Sequence, residues 1–216
     1  METVQFNIFK PFGPPVAEVK IPEKILDELN NYVDRIIIDK EKSKNLDWGK
    51  KLVGDVTQEF KLELDFATKI GWLDFLAKCT AKYVEMATKQ QVKQFVLLES
   101  WIVRQFENEY NPVHLHGGHI SGAGFLKLPK SFGNFTQKNE KKEKLYQGGT
   151  LNLVHGQRSF LSESIFTIIP KVGNFYLFPH YLMHTVYPFK GSDEERRSIS
   201  FNALIDENIF NVYGQQ

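Results

Sequence analysis

The second half of the chain is a series of short apolar segments separated by turn residues, and this pattern restricts the possible folds most strongly. After residue 90 the β-branched and aromatic segments are QQVKQFVLLESWIVRQFENEY, ISGAGFLKLP, GGTLNLVHG, SIFTIIP, GNFYLFP, HTVYPF and RRSISFNALI. Several short strands with turns between them predict an antiparallel sandwich or barrel, whereas βαβ units would need helices between the strands. The 18 phenylalanines also favour a sheet-rich core.

The first 90 residues have a different pattern. The segment IPEKILDELNNYVDRIIIDKEKS carries apolar residues at three- and four-residue spacing, which predicts an amphipathic helix. A second helix is predicted over about residues 70–89, and a short strand is possible in EFKLEL. The apolar face of the second helix is predicted to contain Phe75, Leu76, Cys79, Tyr83 and Met86.

Length and composition indicate one ordinary globular domain. The 216 residues suit a single core, which we place at 1–216, with a helical part at about 1–90 and a jelly-roll core at about 91–206. The fold class is therefore mainly β with N-terminal helices (α+β). The charged segment QKNEKKEK (137–144) predicts a solvated loop.

Charge and cysteine content limit the partners and the compartment. The 27 basic and 26 acidic residues nearly cancel, so we expect no nucleic-acid partner. The single cysteine excludes an intramolecular disulfide, and no signal peptide or membrane span is recognisable. We expect a cytoplasmic protein with no membrane partner, and the sequence leaves its oligomeric state open.

Three of the six histidines lie within the short stretch NPVHLHGGHISG (111–122). On a strand, His114 and His116 point to the same face, so both imidazoles can approach one ion. His184 is the best placed distant partner, because it lies between two β segments. Imidazole suits iron, zinc, copper and nickel, so the residues alone predict a metal site without choosing the metal. The unrelated alternative is that these histidines occupy separate surface turns.

The segment EERRSISFNALI adds a second feature twelve residues after His184. Strand alternation places Arg196, Ser198, Ser200 and Asn202 on one face. Arginine can bind a carboxylate through two parallel hydrogen bonds, and Ser198 can add a hydroxyl. A strand with one solvated face is the plainer alternative.

These stretches together resemble the 2-oxoglutarate/Fe(II)-dependent oxygenases related to prolyl hydroxylases, in an uncharacterised bacterial and phage branch. The matching stretches are NPVHLHGGHISGAGFLKLP, GGTLNLVHG, IIPKVGNFYLFPHYLMHTVYPF and ERRSISFNA. The resemblance implies a double-stranded β-helix that uses Fe(II), 2-oxoglutarate and O₂. It also implies that His114 and His184 are iron ligands and that Arg196, assisted by Ser198, binds the far carboxylate of 2-oxoglutarate.

Two positions depart from the family pattern. The family uses His-x-Asp/Glu, but His116 stands at the carboxylate position. We take His116 as the third ligand, with His119 as the alternative. Where prolyl hydroxylases have a tyrosine that helps to bind 2-oxoglutarate, this chain has Phe125, which cannot donate that hydrogen bond.

The function predicted from the sequence is a dioxygenase that hydroxylates an unidentified small molecule or peptide. A cupin-like dioxygenase or isomerase that does not use 2-oxoglutarate is the first alternative, and a non-enzymatic jelly-roll binding module is the second. HxH fits a cupin motif, but His184 follows the Pro-Gly-type turn at Gly173 too distantly for the second cupin motif.

Overall fold

The computed structural model describes residues 5–9, 13–132 and 148–211, so the predicted loop at 137–144 lies outside the described residues. The strands are β1 Phe6–Phe9, β2 Val16–Lys20, β3 Gln58–Lys61, β4 Phe95–Gln105, β5 Asn111–His114, β6 Ile120–Lys127, β7 Leu151–Val154, β8 Ile165–Ile168, β9 Asn174–Pro179, β10 Met183–Val186 and β11 Arg196–Ile205. The α-helices are α1 Glu23–Ile38, α2 Lys40–Asn45, α3 Leu64–Lys69, α4 Trp72–Thr88 and α5 Glu207–Phe210.

The strands form two antiparallel sheets. The large sheet has the order β1-β2-β9-β6-β11-β4-β3, and the small sheet has the order β5-β10-β7-β8. This is the double-stranded β-helix expected for a mainly β chain with N-terminal helices. The first 90 residues contribute β1, β2 and β3 to the large sheet in addition to helices, and the possible strand in EFKLEL corresponds to β3.

Helices α1 and α4 cover the outer face of the large sheet. The apolar spacing of α1 buries Ile25, Leu29, Val33 and Ile36 in one core cluster. The same cluster contains Phe60, Ile199 and Phe201 from the sheet and four of the five residues predicted for the face of α4. The fifth, Met86, is 37% exposed, so the predicted face extended one turn too far. Among the described helices, none has the length and apolarity that crossing a bilayer requires.

Two glycines of β6 allow the large sheet to pack tightly on this outer side. A Cβ on Gly122 or Gly124 would lie 2.4–2.6 Å from the ring of Phe201 or Phe175. Any side chain there would displace those rings. The small residues of SGAG therefore serve close packing at the two glycines, while Ala123 faces the opposite side and lines a cavity.

The inner faces of the two sheets enclose a second, smaller core. It contains Val16, Phe125, Leu151, Leu153, Ile168, Tyr176, Phe178 and Leu182. Beside this core the two sheets leave a cavity that is lined by residues of β4, β5, β6, β7, β10 and β11. The predicted polar face of β11 points into this cavity through Arg196, Ser198 and Ser200.

Candidate metal centre

Three histidines meet at the wall of the cavity between the sheets. His114 ends β5 and pairs directly with His184 on the antiparallel strand β10. His116 lies two residues beyond His114, and its amide still donates to the carbonyl of His180, so the backbone remains paired. One ligand atom from each ring lies within 4.8 Å of the other two. Strand alternation predicted a shared face for His114 and His116, and the flanking β segments singled out His184; the structure brings these three side chains together.

The backbone orients two of the rings toward a common point. Nδ1 of His114 lies 2.7 Å from the carbonyl oxygen of Pro112, and Nδ1 of His184 lies 3.0 Å from that of Leu182. A proton on each Nδ1 donates to the carbonyl and leaves the Nε2 lone pair free, as in metal-bound histidines. Two adjacent ligands at right angles, each about 2.1 Å from one ion, would be about 3 Å apart. Nε2 of His116 and Nε2 of His184 are 2.9 Å apart, so the donor set fits a divalent metal.

Burial keeps these imidazoles neutral. Burial, and to a smaller extent the neighbouring His114, lower the pKa of His184 to about 4. Burial and the three surrounding histidines lower the pKa of His116 to about 2, and burial lowers the pKa of His114 as well. All three imidazoles are therefore neutral at neutral pH, which is the form of histidine that binds a metal.

The other three histidines lie outside this cluster. His119, the alternative third ligand, stacks on Phe210 with ring centroids 3.7 Å apart, and its Nδ1 accepts the amide of Ile205. His180 places Nδ1 3.0 Å from the carbonyl of His116. His155 is not part of the group of candidate ligands found in the described residues. The geometry thus brings His116, and not His119, to the other two rings.

The predicted anion-binding residues line the same cavity as the histidines. Arg196 and Ser198 lie on β11, and Phe125 lies beside them on β6, where it pairs with Ser198. The Arg196 guanidinium is 5.2 Å from the centre of the Phe125 ring. Phe125 therefore lies next to Arg196 in the cavity, where its ring offers no hydroxyl for hydrogen bonding.

Arg196 is a buried cation without a carboxylate partner among the described residues. Only 2% of it is exposed, and its hydrogen bonds go to the carbonyl of Gly149 (3.1 Å) and the hydroxyl of Ser198 (3.2 Å). Burial lowers its pKa to about 9. A buried charge is expensive unless an opposite charge compensates it, so this cavity favours an anionic ligand.

Sequence reasoning missed the residues that support His116. The side-chain amide of Asn202 donates to Glu99 at 2.8 Å, accepts from Ser121 at 2.8 Å, and lies 3.5 Å from Nδ1 of His116. Asn202 was placed on the polar row of β11, but nothing in the sequence connected it to His116. Glu99 interrupts the apolar run FVLLESW, and that interruption was the only signal for it.

Comparisons with known proteins agree with this site. Residues 99–202 match the family described as "Putative 2OG-Fe(II) oxygenase". That region contains all three histidines of the cluster together with Arg196 and Ser198. No curated protein sequence matches the chain.

Solved structures of the same fold are distant in sequence. A prolyl-4-hydroxylase from Pseudomonas putida aligns with 12% identity and a TM-score of 0.55, covering 87% of this chain and 91% of that one. The viral collagen prolyl hydroxylase of Paramecium Bursaria Chlorella virus-1, solved with 2-oxoglutarate, aligns with 14% identity and a TM-score of 0.54, covering 87% and 94%. HygX from Streptomyces hygroscopicus, solved with nickel and 2-oxoglutarate, aligns with 13% identity and a TM-score of 0.51, covering 87% and 81%.

At these identities the solved structures establish the fold, and the family match over the jelly-roll core establishes the kind of enzyme. The match does not favour the cupin-like alternative. Residues 99–202 thus carry the core of the 2OG-Fe(II) oxygenase family, and this match supports a dioxygenase that uses Fe(II) and 2-oxoglutarate.

Proposed function

We propose that His114, His116 and His184 bind the Fe(II), that Arg196 and Ser198 bind the far carboxylate of 2-oxoglutarate, and that the enzyme hydroxylates a substrate C–H bond. The observation that supports this most strongly is the buried Arg196, which has no carboxylate partner in the described part of the chain and lines the cavity that also holds the three histidines. A cation without a counter-ion and a cluster of neutral nitrogen ligands are the two features that an iron-chelating dicarboxylate requires.

Each residue has a defined part in this proposal. His114 and His184 hold their Nε2 atoms toward the ion because Pro112 and Leu182 accept their Nδ1 protons. Arg196 orients 2-oxoglutarate by charge and hydrogen bonds, and the hydrophobic wall formed by Phe125, Leu151 and Val186 limits access of water. Bound iron would supply activation of O₂, so that 2-oxoglutarate, O₂ and R–H give succinate, CO₂ and R–OH.

A set of three histidines carries one negative charge fewer than the usual two histidines and one carboxylate. We therefore expect the variant His116→Asp to restore the common set and to retain one equivalent of Fe(II). His184→Ala and His116→Ala should each weaken iron binding strongly, measured anaerobically by equilibrium dialysis.

The matched control for these variants is His119→Ala, which removes the alternative ligand and should leave iron binding unchanged. The assignment of His116 would be wrong if His119→Ala lost the iron while His116→Ala kept it. A full equivalent of iron bound to His184→Ala would contradict the whole ligand set.

We further propose that the enzyme acts in the cytoplasm on a small molecule or a peptide, without a nucleic-acid or membrane partner. The near balance of 27 basic and 26 acidic residues supports the absence of a polyanionic partner. The lone Cys79 is buried, and its burial raises the pKa of the thiol to about 12. A buried thiol with so high a pKa is unreactive, so Cys79 has no part in the proposed hydroxylation. A single free cysteine is also compatible with a reducing compartment.

A further inference from the structure

A second buried ionisable group lies on the inner side of the large sheet, at its edge strand β3. Glu59 is 2% exposed, and neither carboxylate oxygen has a hydrogen-bond partner among the described residues. Buried carboxylates normally pair with a cation or accept several hydrogen bonds. Glu59 therefore differs from the other buried acid of the sheet, Glu195, which contacts three basic side chains.

The strand register shows which way Glu59 points. Glu59 pairs with Val103 on β4, and Val103 lines the cavity that contains the three histidines. The next residue, Phe60, belongs to the core under the helices, on the opposite face. Because directly paired residues share a face, Glu59 lies on the same inner face as the metal centre. Ser198 pairs with Val103 on its other side, which places Glu59 two strand spacings from Ser198, or about 10 Å.

The surroundings of Glu59 are acidic and amide-rich. Gly54 lies over it, and a Cβ at Gly54 would meet Glu59 Oε1 at 2.9 Å and Asn111 Nδ2 at 3.2 Å. Asn111 itself lines the metal cavity. On the other side, a Cβ at Gly49 would lie 3.4 Å from Asp47 Oδ1 and 3.6 Å from Glu59 Oε2. Two carboxylates thus converge around one glycine, and neither forms an ion pair in the described part of the chain.

We propose that Glu59, with Asp47 beside it, binds a positively charged nitrogen group of the substrate, an ammonium or a guanidinium. This inference rests on the proposed oxygenase function, since it gives the substrate class of the same site. The cationic group would bind beyond Val103 and Asn111, two residues that line the cavity, while the C–H bond to be hydroxylated would lie at the histidines. A substrate that spans both must have a flexible chain between the cation and the reacting carbon.

The ionisation of Glu59 is consistent with this arrangement. Burial, and then the nearby Asp47, raise the pKa of Glu59 to about 7. A cation beside two carboxylates would reverse this shift and stabilise the charged form. The lysines closest in the chain do not supply that cation, because Lys51 and Lys61 place their ammonium groups over the ring of Trp48, 4.0 and 4.7 Å from its centre.

The test uses the full chain loaded with 2-oxoglutarate and with diamagnetic Zn(II) in place of iron. The probes are methylguanidinium and its uncharged analogue N-methylurea, titrated while the amide NMR signals of Gly49 and Gly54 are followed. Methylguanidinium should shift both signals in a saturable manner, and N-methylurea should bind at least tenfold more weakly. Glu59→Gln should weaken methylguanidinium binding at least tenfold, whereas the exposed-side control Glu63→Gln should bind it as the unmodified chain does.

Two outcomes would overturn the proposal: methylguanidinium fails to bind the unmodified chain, or it binds Glu59→Gln equally well. If Glu59→Gln does not fold, Glu59→Asp, which keeps the charge, should still prefer methylguanidinium over N-methylurea, and loss of that preference would contradict the proposal. Binding of 2-oxoglutarate is measured on the same samples. Its absence beside intact methylguanidinium binding would refute the assigned 2-oxoglutarate site alone, and the reverse result would refute the cation site alone.

Discussion

Arg196 and Arg197 are neighbours in the sequence, and both are almost completely buried, yet their environments are opposite. Arg197 faces the helices, where it donates to Glu195 at 2.8 and 3.0 Å, to Asp34 at 2.7 Å and to Asn30 at 3.0 Å. Arg196 faces the cavity, where its hydrogen bonds within the described residues go to a carbonyl and a hydroxyl. A buried cation with its counter-ions connects parts of the fold, and one without them is available for a ligand.

Their ionisation reflects the same difference. Burial alone would lower the pKa of Arg197, but its hydrogen bonds to Glu195 and Asp34 raise that pKa above its ordinary value. Burial also opposes ionisation of Glu195, yet Arg197 and Arg104 lower its pKa. For Arg196 nothing offsets burial, and its pKa falls to about 9.

The largest expected effect comes from removing the paired arginine. Arg197→Met leaves Glu195 and Asp34 without their main partner and removes the ion pair between α1 and the sheet. Breaking a buried ion pair from one side costs about 3–5 kcal/mol of the free energy of unfolding. Urea denaturation should show that loss, and the folded fraction should still bind 2-oxoglutarate with unchanged affinity. Weaker 2-oxoglutarate binding at full stability would mean that the two arginines have exchanged roles.

The opposite pattern is expected for Arg196→Met. It should weaken 2-oxoglutarate binding about 100-fold, which corresponds to about 3 kcal/mol for a lost pair of charge-assisted hydrogen bonds. The stability of the ligand-free protein should stay equal or rise, since an uncompensated buried charge disappears. Calorimetric titration and urea denaturation of the same variant provide both readouts. An Arg196→Met protein that bound 2-oxoglutarate normally would remove this residue from the site.

Glu59 extends the comparison to an acid. Its pKa is about 7 in the folded protein, above the ordinary value of 4.5, so its protonated form favours folding. That stabilisation is complete below about pH 4.5 and is lost as the pH rises through 7. We expect Glu59→Gln to match the unmodified chain at pH 5 and to exceed its stability by about 2 kcal/mol at pH 8. Equal stability at both pH values would show that Glu59 has a counter-ion in solution.

Ser198→Ala is the smallest of these changes. The hydroxyl contributes one hydrogen bond beside Arg196, and a single hydrogen bond contributes about 1 kcal/mol. The affinity for 2-oxoglutarate should fall about fivefold, with thermal stability nearly unchanged. A loss as large as that of Arg196→Met would mean that Arg196 cannot bind 2-oxoglutarate without its hydrogen bond to Ser198.

The parts of this structure that depend on local periodicity were predictable from the sequence. Alternation on β11 correctly separated Arg196 from Arg197, and the spacing of His114 and His116 correctly aimed two rings at one point. The short strands and the first helix followed from the apolar pattern. The sequence analysis chose His116 over His119 from the family resemblance, and only the fold shows which ring the turn at Gly117 and Gly118 presents to the other two.

Long-range pairings were not predictable in the same way. In the sequence, Glu59 is one polar residue in a short predicted strand. Only its register with Val103 in the structure places it on the inner face of the sheet. Likewise, Asp34 and Glu195 are 161 residues apart, and nothing in the sequence shows that they share Arg197. An unpaired charge is a property of the tertiary surroundings, so the sequence could suggest Arg196 as a ligand residue but could not show that it lacks a counter-ion.

The central claim is that the three histidines and Arg196 form one site for Fe(II) and 2-oxoglutarate. Its most direct test is the visible absorption spectrum of the anaerobic protein as Fe(II) and then 2-oxoglutarate are added. We expect a weak charge-transfer band that requires both additions and that Arg196→Met forms only at much higher 2-oxoglutarate concentration. Tight iron binding without any such band, at 2-oxoglutarate concentrations that saturate related enzymes, would contradict it.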